Sequence, residues 1–182
     1  VAAKFEDSNA TGMNGDELDN TATDSGAVYI FSRAGGTWSQ QAYIKSSNSE
    51  MGDLFGDGSI SLAGDGQTLA VGAVFEDSKA TGVNGDQTDN SIPTSGATYV
   101  FSRTGGTWSQ QAYVKASNPG AVDAFAYTVS LSGNGDIMAI GAPFEDSDAT
   151  GIGGDQLNNK SFDSGAVYLF TRSNGIWSQQ SY

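Results

Sequence analysis

The segment Ser95–Lys115, SGATYVFSRTGGTWSQQAYVK, contains two short stretches of strand-forming residues separated by Thr-Gly-Gly-Thr. Valine, threonine and aromatic residues favour strands, and a glycine pair favours a tight antiparallel turn, so the segment predicts a β-hairpin. Closely similar segments begin at Ser25 and Ser164, which gives a repeat period of about 70 residues. The fold is therefore built from a repeated unit that contains this hairpin.

A second repeated segment lies between these hairpins and supplies two further strands. It reads FGDGSISLAGDGQTLAVGAVFEDS from Phe55 and FAYTVSLSGNGDIMAIGAPFEDS from Phe125. Within one period we predict four strands, named a to d: Ser59–Ala63, Thr68–Gly72, Ala97–Arg103 and Thr107–Lys115. Short glycine-bearing turns join a to b and c to d, so the predicted unit is a four-stranded antiparallel meander.

Strand c has apolar neighbours on both of its faces, as in AVYIF at residues 27–31. Radial stacking of similar units covers both faces of each sheet, which predicts an all-β fold of β-propeller blades. The chain holds strands b, c and d of one unit and two full units, an incomplete propeller of about two and three-quarter blades, whereas closed propellers have about four to eight. We assign blade 1 to residues 1–53, blade 2 to 54–123 and blade 3 to 124–182. Further blades are expected from the same longer chain, or else from other copies.

Several short motifs resemble the FG-GAP repeat of integrin α-subunit-type propellers and of many bacterial surface proteins. They are FG at 55–56 with GA at 72–73, and FA at 125–126 with GAP at 141–143. The resemblance implies a non-catalytic adhesion or recognition scaffold, secreted or exposed on a bacterial surface. In that family calcium is held by a D-x-D-x-D-G loop between strands a and b. Here the turns at 63–66 and 132–135 are too short to wrap a cation, so that site is not assigned to them.

An acidic loop joins strands b and c in every unit and recurs at residues 5–20, 75–90 and 144–159. The first copy reads FEDSNATGMNGDELDN. In a meander this loop and the d-to-a linkers, residues 46–56 and 116–126, lie at the same end of the blade. The linkers add Asp53 and Asp123 there. We name these loops and linkers together the acidic rim.

The acidic loops offer many oxygen ligands of the kind that calcium prefers. The predicted calcium ligands are Glu6, Asp7, Asp16, Asp19 and Asn20; Glu76, Asp77, Asp86, Asp89 and Asn90; and Glu145, Asp146, Asp155, Asn158 and Asn159. The alternative is a loop without metal, because Asp, Asn, Ser and Thr side chains also cap their own backbone. Composition leaves both interpretations open.

The composition excludes several classes of function. The chain has no cysteine and no histidine, which removes disulfides, thiolate chemistry and imidazole-based triads. A net charge of −13 opposes binding to nucleic acid, and no apolar stretch is long enough for membrane insertion. Three near-identical loops also disfavour an asymmetric catalytic site, so we predict that the protein is not an enzyme.

Three further residue types recur in each unit. Trp38, Trp108 and Trp177 are expected to pack against the adjacent blade, although a tryptophan also stacks on sugars. In a regular strand the tryptophan and tyrosine of WSQQAY would lie on opposite faces. The arginines that end strand c are expected to pair with nearby carboxylates; they are Arg33, Arg103 and Arg172.

The predicted function is a non-catalytic extracellular scaffold for a protein or glycan ligand at a cell surface, with calcium as the candidate cofactor. Two alternatives remain. One is a carbohydrate-binding lectin that uses the recurring tryptophans. The other is a structural subunit whose copies assemble into a ring or fibre.

Overall fold

A computed structural model describes residues 1–182 and contains eleven strands and no helix. The strands are β1 (Ala2–Ala3), β2 (Ala27–Ala34), β3 (Thr37–Ile44), β4 (Ile60–Leu62), β5 (Thr68–Ala73), β6 (Ala97–Thr104), β7 (Thr107–Val114), β8 (Thr128–Leu131), β9 (Ile137–Ala142), β10 (Ala166–Ser173) and β11 (Ile176–Ser181). All four strands predicted for blade 2 are present, with ends that differ by only one residue. Since no helix is present, none is available to cross a membrane.

The strands form three separate antiparallel sheets, each of which pairs strands in chain order. Blade 1 contains β1-β2-β3, blade 2 contains β4-β5-β6-β7 and blade 3 contains β8-β9-β10-β11. Every strand pairs only with its neighbours along the chain, which defines an up-and-down meander. The fold is all-β, and its three sheets correspond to the blades of an incomplete propeller, as the sequence predicted.

The turns between strands c and d are tight because two consecutive residues adopt positive φ angles. In blade 2 the turn residues Gly105 and Gly106 have φ angles of 58° and 89°. Two consecutive residues with positive φ are the requirement of a type I′ turn, whose twist matches that of the flanking strands. Blade 3 meets the same requirement with Asn174 and Gly175, at 51° and 79°.

The core lies between the blades, and blade 2 is covered on both faces. Tyr99 and Phe101 belong to a cluster shared with Val28 and Ile44 of blade 1. Val100, which points to the opposite face, belongs to a cluster shared with blade 3. Burial of alternate residues against different neighbours explains why strand c is apolar on both faces.

One phenylalanine from each linker is inserted into each junction between blades. Phe55 and Phe125 are fully buried. Phe125 packs edge-on against Tyr168 and Phe170, with ring centroids 5.3 and 6.5 Å apart. We call Gly52–Phe55 and Val122–Phe125 the wedge segments, because each places its phenylalanine in the core shared by two blades.

Each wedge segment is also tied to the preceding blade through backbone hydrogen bonds. The amides of residues 52, 54 and 55 donate to the carbonyls of residues 23, 24 and 25 at 3.1, 3.1 and 2.9 Å. The second wedge repeats this ladder on residues 93, 94 and 95, at 2.9, 3.1 and 3.2 Å. A Cβ on Gly96 would lie 2.0 Å from the Phe125 carbonyl oxygen, so only glycine permits this approach.

Strand d is irregular, and this corrects the prediction about its aromatic residues. The pairing of β6 with β7 shifts between Val100 and Phe101, which leaves Gln111 as an extra residue. Because of this bulge, Trp108 and Tyr113 pair with Arg103 and Tyr99 and so lie on the same face. The same shift occurs in blades 1 and 3.

Candidate functional site: the acidic rim

The carboxylates of the acidic loops accept many hydrogen bonds from amides and hydroxyls of the same loops. Asp16 accepts from the Leu18 amide at 2.9 Å, and Asp19 accepts from both the amide and the hydroxyl of Thr21. In the second copy Asp86 binds Thr88 and Asp89 binds Ser91 in the same way. In the third copy Asp155 accepts from the Leu157 amide at 3.0 Å. These contacts match the self-capped alternative for the loops.

The second carboxylate of each loop closes the base of the loop. Asp7 accepts from the amide of Asp24, Asp77 from Thr94 and Asp146 from Asp163, at 2.8, 2.7 and 2.8 Å. Each of these amide donors has a positive φ angle between 52° and 56°. Left-handed backbone is costly for residues other than glycine, and the carboxylate compensates by bonding that residue directly.

The first carboxylate of each loop is hydrogen-bonded, and those of Glu76 and Glu145 are also buried. Glu76 accepts from Lys115 Nζ at 2.8 Å, and Lys115 also donates to Ser95 Oγ at 2.7 Å. In blade 1 Lys45 binds Glu6 and Ser25 at 2.9 and 2.6 Å. Burial lowers the pKa of Lys115, while the neighbouring Glu76 acts in the opposite direction. In blade 3 the Tyr182 hydroxyl, rather than a lysine, donates to Glu145 at 2.8 Å.

The motifs in the sequence do not single out these lysines. Lys45 and Lys115 follow strand d in YIK and YVK, and each lies 39 residues from its glutamate. Recurrence of a lone lysine at the same place in a strongly acidic chain was the signal that could have found them. Ser25 and Ser95 link these lysines to the acidic loops, since each serine hydroxyl also donates to a carbonyl oxygen of the loop at 3.0 Å.

An asparagine in each linker connects consecutive blades at the rim. Asn48 donates to Glu76 at 3.2 Å and accepts from the Tyr99 hydroxyl at 2.5 Å. Asn118 repeats both contacts with Glu145 and Tyr168, at 2.9 and 2.7 Å. The rim is therefore fixed to the blade junctions through side-chain contacts that recur in each copy.

Asp53 and Asp123 lie at this end of the blades, as predicted, and both are buried. Burial, reinforced by Glu76 and Glu50, raises the pKa of Asp53 to about 8. Burial also raises the pKa of Asp123 to about 6. Asp123 accepts from the Gly120 amide at 2.7 Å, and Asp53 accepts from the Glu50 amide at 3.3 Å.

The structure distributes the predicted calcium ligands over different contacts rather than gathering them around one point. The glutamates bind lysine or tyrosine, and most of the aspartates bind backbone amides. No group of three or more His, Cys, Asp or Glu side chains is arranged to hold a metal ion. Calcium binding therefore stays a prediction that rests on the many oxygen-bearing side chains in the acidic loops.

A cleft of about 500 Å³ lies beside the bases of the acidic loops, where strands b of successive blades end. Its walls include the aromatic rings of Phe75, Tyr127 and Phe144. Lys4 and Asp57 form an ion pair of 3.1 Å at the same cleft. The rim thus combines charged loops with a partly apolar depression.

The recurring tryptophans differ in exposure according to whether a blade precedes them. Trp108 is 5% exposed and donates to Gln41 of blade 1 at 3.3 Å, and Trp177 donates to Gln111 of blade 2 at 3.0 Å. Trp38 of blade 1 is 64% exposed. Packing against the adjacent blade is therefore the role of Trp108 and Trp177.

The arginines that end strand c only partly follow the prediction of carboxylate pairing. Arg172 binds Asp136 at 2.9 Å. Arg33 instead donates to the Gly36 carbonyl at 3.4 Å, and the Nε atom of Arg103 is buried without a hydrogen-bond acceptor. The prediction was wrong for these two because blade 2 has Gln67 at the position of Asp136, and residues 1–53 contain no strand a and so no a-to-b turn.

Comparison with known proteins finds one family model that matches part of the chain. Residues 108–170 match the family model of the FG-GAP repeat. The matched segment runs from strand d of blade 2 into strand c of blade 3, so it includes a wedge segment and an acidic loop. No curated protein matches the chain significantly.

Proposed function

We propose that the chain is a non-catalytic recognition scaffold, displayed outside a bacterial cell, that presents the acidic rim to a protein or glycan ligand. The observation that carries this proposal is the repetition of one internally hydrogen-bonded acidic loop at the same end of all three blades. Rigid loops on a packed scaffold reduce the entropy lost on binding. The FG-GAP repeat at residues 108–170 supports a propeller-type scaffold.

A net charge of −13 concentrated on such a rim favours a ligand that carries positive charge. The exposed carboxylates of Asp16, Asp86 and Asp155 occupy equivalent positions, one in each loop. Their substitution by asparagine retains the oxygen that accepts the backbone amide and removes the charge. This triple variant therefore separates the charge of the rim from its shape.

The test is a binding assay with immobilised chain, a cationic lysine-rich peptide and a glycan array as probes. We expect the peptide to bind, and the triple variant Asp16→Asn, Asp86→Asn, Asp155→Asn to bind it about tenfold more weakly. A circular-dichroism melt of the variant controls for folding. Undiminished binding by a folded variant would contradict the proposed role of the rim.

Calcium remains part of the proposal as an ion that orders the acidic loops from outside. Its test is calorimetric titration with millimolar calcium, with sodium chloride of equal ionic strength as the control. Heat of binding and a rise in melting temperature beyond the sodium control would support a calcium site. Absence of both would remove calcium from the proposal.

The lectin alternative requires an exposed aromatic platform, and only Trp38 among the recurring tryptophans is exposed. Sugar binding on the array that disappears in Trp38→Ala, with the fold intact, would favour that alternative.

The structural-subunit alternative is supported by apolar side chains on the outer faces of blades 1 and 3, such as Phe31 and Val167. Light scattering tests it, because a stable species of 18.8 kDa excludes spontaneous assembly.

A further inference from the structure

The outer face of blade 3 has the same construction as the face of blade 2 that receives a wedge segment. Leu169 and Val167 occupy the positions of Val100 and Thr98, which are fully buried in blade 2. In blade 3 Val167 is 62% exposed, and Ile152 of the acidic loop is 87% exposed. The corresponding loop residue of blade 2, Val83, packs against the core between blades 2 and 3.

The backbone of blade 3 also presents the groups that bind wedge segments elsewhere. In blades 1 and 2, carbonyls 23–25 and 93–95 accept amides of the wedge segments. The equivalent carbonyls in blade 3 belong to Phe162, Asp163 and Ser164, and no backbone amide donates to them. A row of unpaired acceptors at the edge of a β-structure is a template for an added extended segment.

The glycine that admits the wedge is present in blade 3 as well. Gly165 has a φ angle of 76°, close to the 78° of Gly96. At Gly96 an added Cβ would lie 2.0 Å from the carbonyl oxygen of the wedge phenylalanine, whereas at Gly165 the nearest atom is 3.1 Å away. Beside Gly165 lies a cleft of about 510 Å³ whose lining includes Ile152, Val167 and Leu169.

We propose that this face of blade 3 binds an extended peptide segment of the wedge type: an aspartate, a small or aliphatic residue, a phenylalanine, and then glycine or alanine. The phenylalanine enters the cleft beside Val167 and Leu169, and the peptide amides bind the carbonyls of residues 162–164. Both junctions within the chain already use this arrangement, so the new contact continues an interface that exists twice.

The occupant is a wedge peptide and not a second copy of the chain. Each copy has its two wedge phenylalanines fully buried in its own junctions. A second copy therefore has neither wedge segment, 52–55 or 122–125, free to fill the carbonyl ladder and the cleft. This binding is independent of the recognition proposed for the acidic rim.

The test uses the full chain labelled with ¹⁵N and a synthetic peptide with the sequence of residues 117–127, SNPGAVDAFAY. Amide chemical shifts report weak binding and locate it. We expect saturable shifts at Gly165, Val167 and Leu169 on addition of the peptide. The same peptide with alanine in place of its phenylalanine should bind about tenfold more weakly or worse, because the cleft loses its apolar occupant.

Two disruptive variants of the chain and one matched control test the geometry. Gly165→Ala places a methyl group where the peptide carbonyl must lie, and Gly175→Ala is its matched control. Gly175 has a φ angle of 79° and open space around it, so it reproduces the backbone strain without the clash. We expect Gly165→Ala to lose binding by about tenfold or more and Gly175→Ala to retain it. Val167→Lys is a second disruptive variant, at an exposed position that does not endanger folding.

Three results would overturn the proposal: no shift at Gly165 with millimolar peptide, equal binding by the alanine peptide, or equal binding by Gly165→Ala. Shifts around Gly96 in place of Gly165 would also overturn it, because the peptide would then be replacing an internal wedge. A dimer of the wild-type chain that excludes the peptide and is lost in Val167→Lys would assign the face to a second copy instead.

Discussion

Lys115 and Glu76 are both buried, so neither charge can rely on water if its partner is removed. In Lys115→Met the Glu76 carboxylate would lose its cation, and we expect a loss of about 3–5 kcal/mol in the free energy of unfolding. Urea denaturation measures this loss. The control is Lys79→Met, which removes an exposed pair with Asp89 of similar length, 2.7 Å, and should change stability little.

The double variant Lys115→Met, Glu76→Leu tests the cause of that loss. If the loss arises from an unpaired buried carboxylate, removal of the carboxylate should restore part of the stability. Equal stability of the single and double variants would contradict this explanation and indicate a loss of packing or of the Ser95 contact.

Asp53 should make the stability of the protein depend on pH in a definite direction. Its pKa in the folded state is about 8, above the value of about 3.9 for an unfolded chain. Between these values the folded state binds more protons, so this group reduces stability as pH rises from about 4 to 8. Burial is the main cause of the raised pKa, and Glu76, Glu50 and Asp77 add to it.

The neutral variant Asp53→Asn should therefore melt at a higher temperature than the wild type at pH 8, and the difference should shrink toward pH 4. Thermal melts across this range measure it. Asp123→Asn is the comparison: its pKa of about 6 predicts a smaller effect that is complete by about pH 6. If the melting temperatures of Asp53→Asn and wild type differ by the same amount at every pH in this range, the raised pKa of Asp53 is contradicted.

Individual side-chain roles on the rim were only partly predictable from the sequence. The acidic loops and their common end follow from the strand order. The strand order does not determine the partner of each carboxylate, because an aspartate binds a backbone amide, a lysine or a cation with the same oxygens. Glu76 and Lys115 are brought together only by folding of the whole blade, so no local pattern contains the pair.

At the scale of elements, the junction between blades depends on how closely the wedge segment approaches the preceding blade. Gly96→Ala and Gly165→Ala introduce the same methyl group at nearly the same φ angle, and only the first meets a wedge carbonyl, at 2.0 Å. We expect Gly96→Ala to cost about 1–3 kcal/mol more than Gly165→Ala. Chemical denaturation of both variants measures the difference, and equal costs would mean that backbone strain alone determines the effect.

The strands themselves were predictable because their signals are local. Apolar runs bounded by glycine turns place β5, β6 and β7 correctly. The bulge in strand d was not predictable, since WSQQAY reads as a regular alternating strand. The extra residue Gln111 is needed where strand d reverses the face of its side chains, and there its side chain accepts from the Trp177 indole. The bulge recurs at Gln41 and Gln180, so it belongs to strand d itself, but the alternating pattern of that strand does not reveal it.

At the scale of the whole molecule, a net charge of −13 should oppose the compact state. Screening by salt weakens repulsion among exposed carboxylates more than it weakens the buried lysine–glutamate contacts. We therefore expect the melting temperature to rise when sodium chloride increases from about 20 to about 500 mM. The triple asparagine variant of residues 16, 86 and 155 should show a smaller rise, and an equal rise would place the repulsion elsewhere.

The wedge ladder has a consequence for how the length of this protein can change. Every junction joins one unit only to the unit before it, through the linker ladder and the packing between the two sheets, so interactions extend no further than the nearest neighbour. Duplication or deletion of one whole period of about 70 residues would recreate the same joint at the new position. An insertion within a wedge segment would instead displace a phenylalanine from its glycine. Growth by complete periods is thus a change in length that preserves every junction.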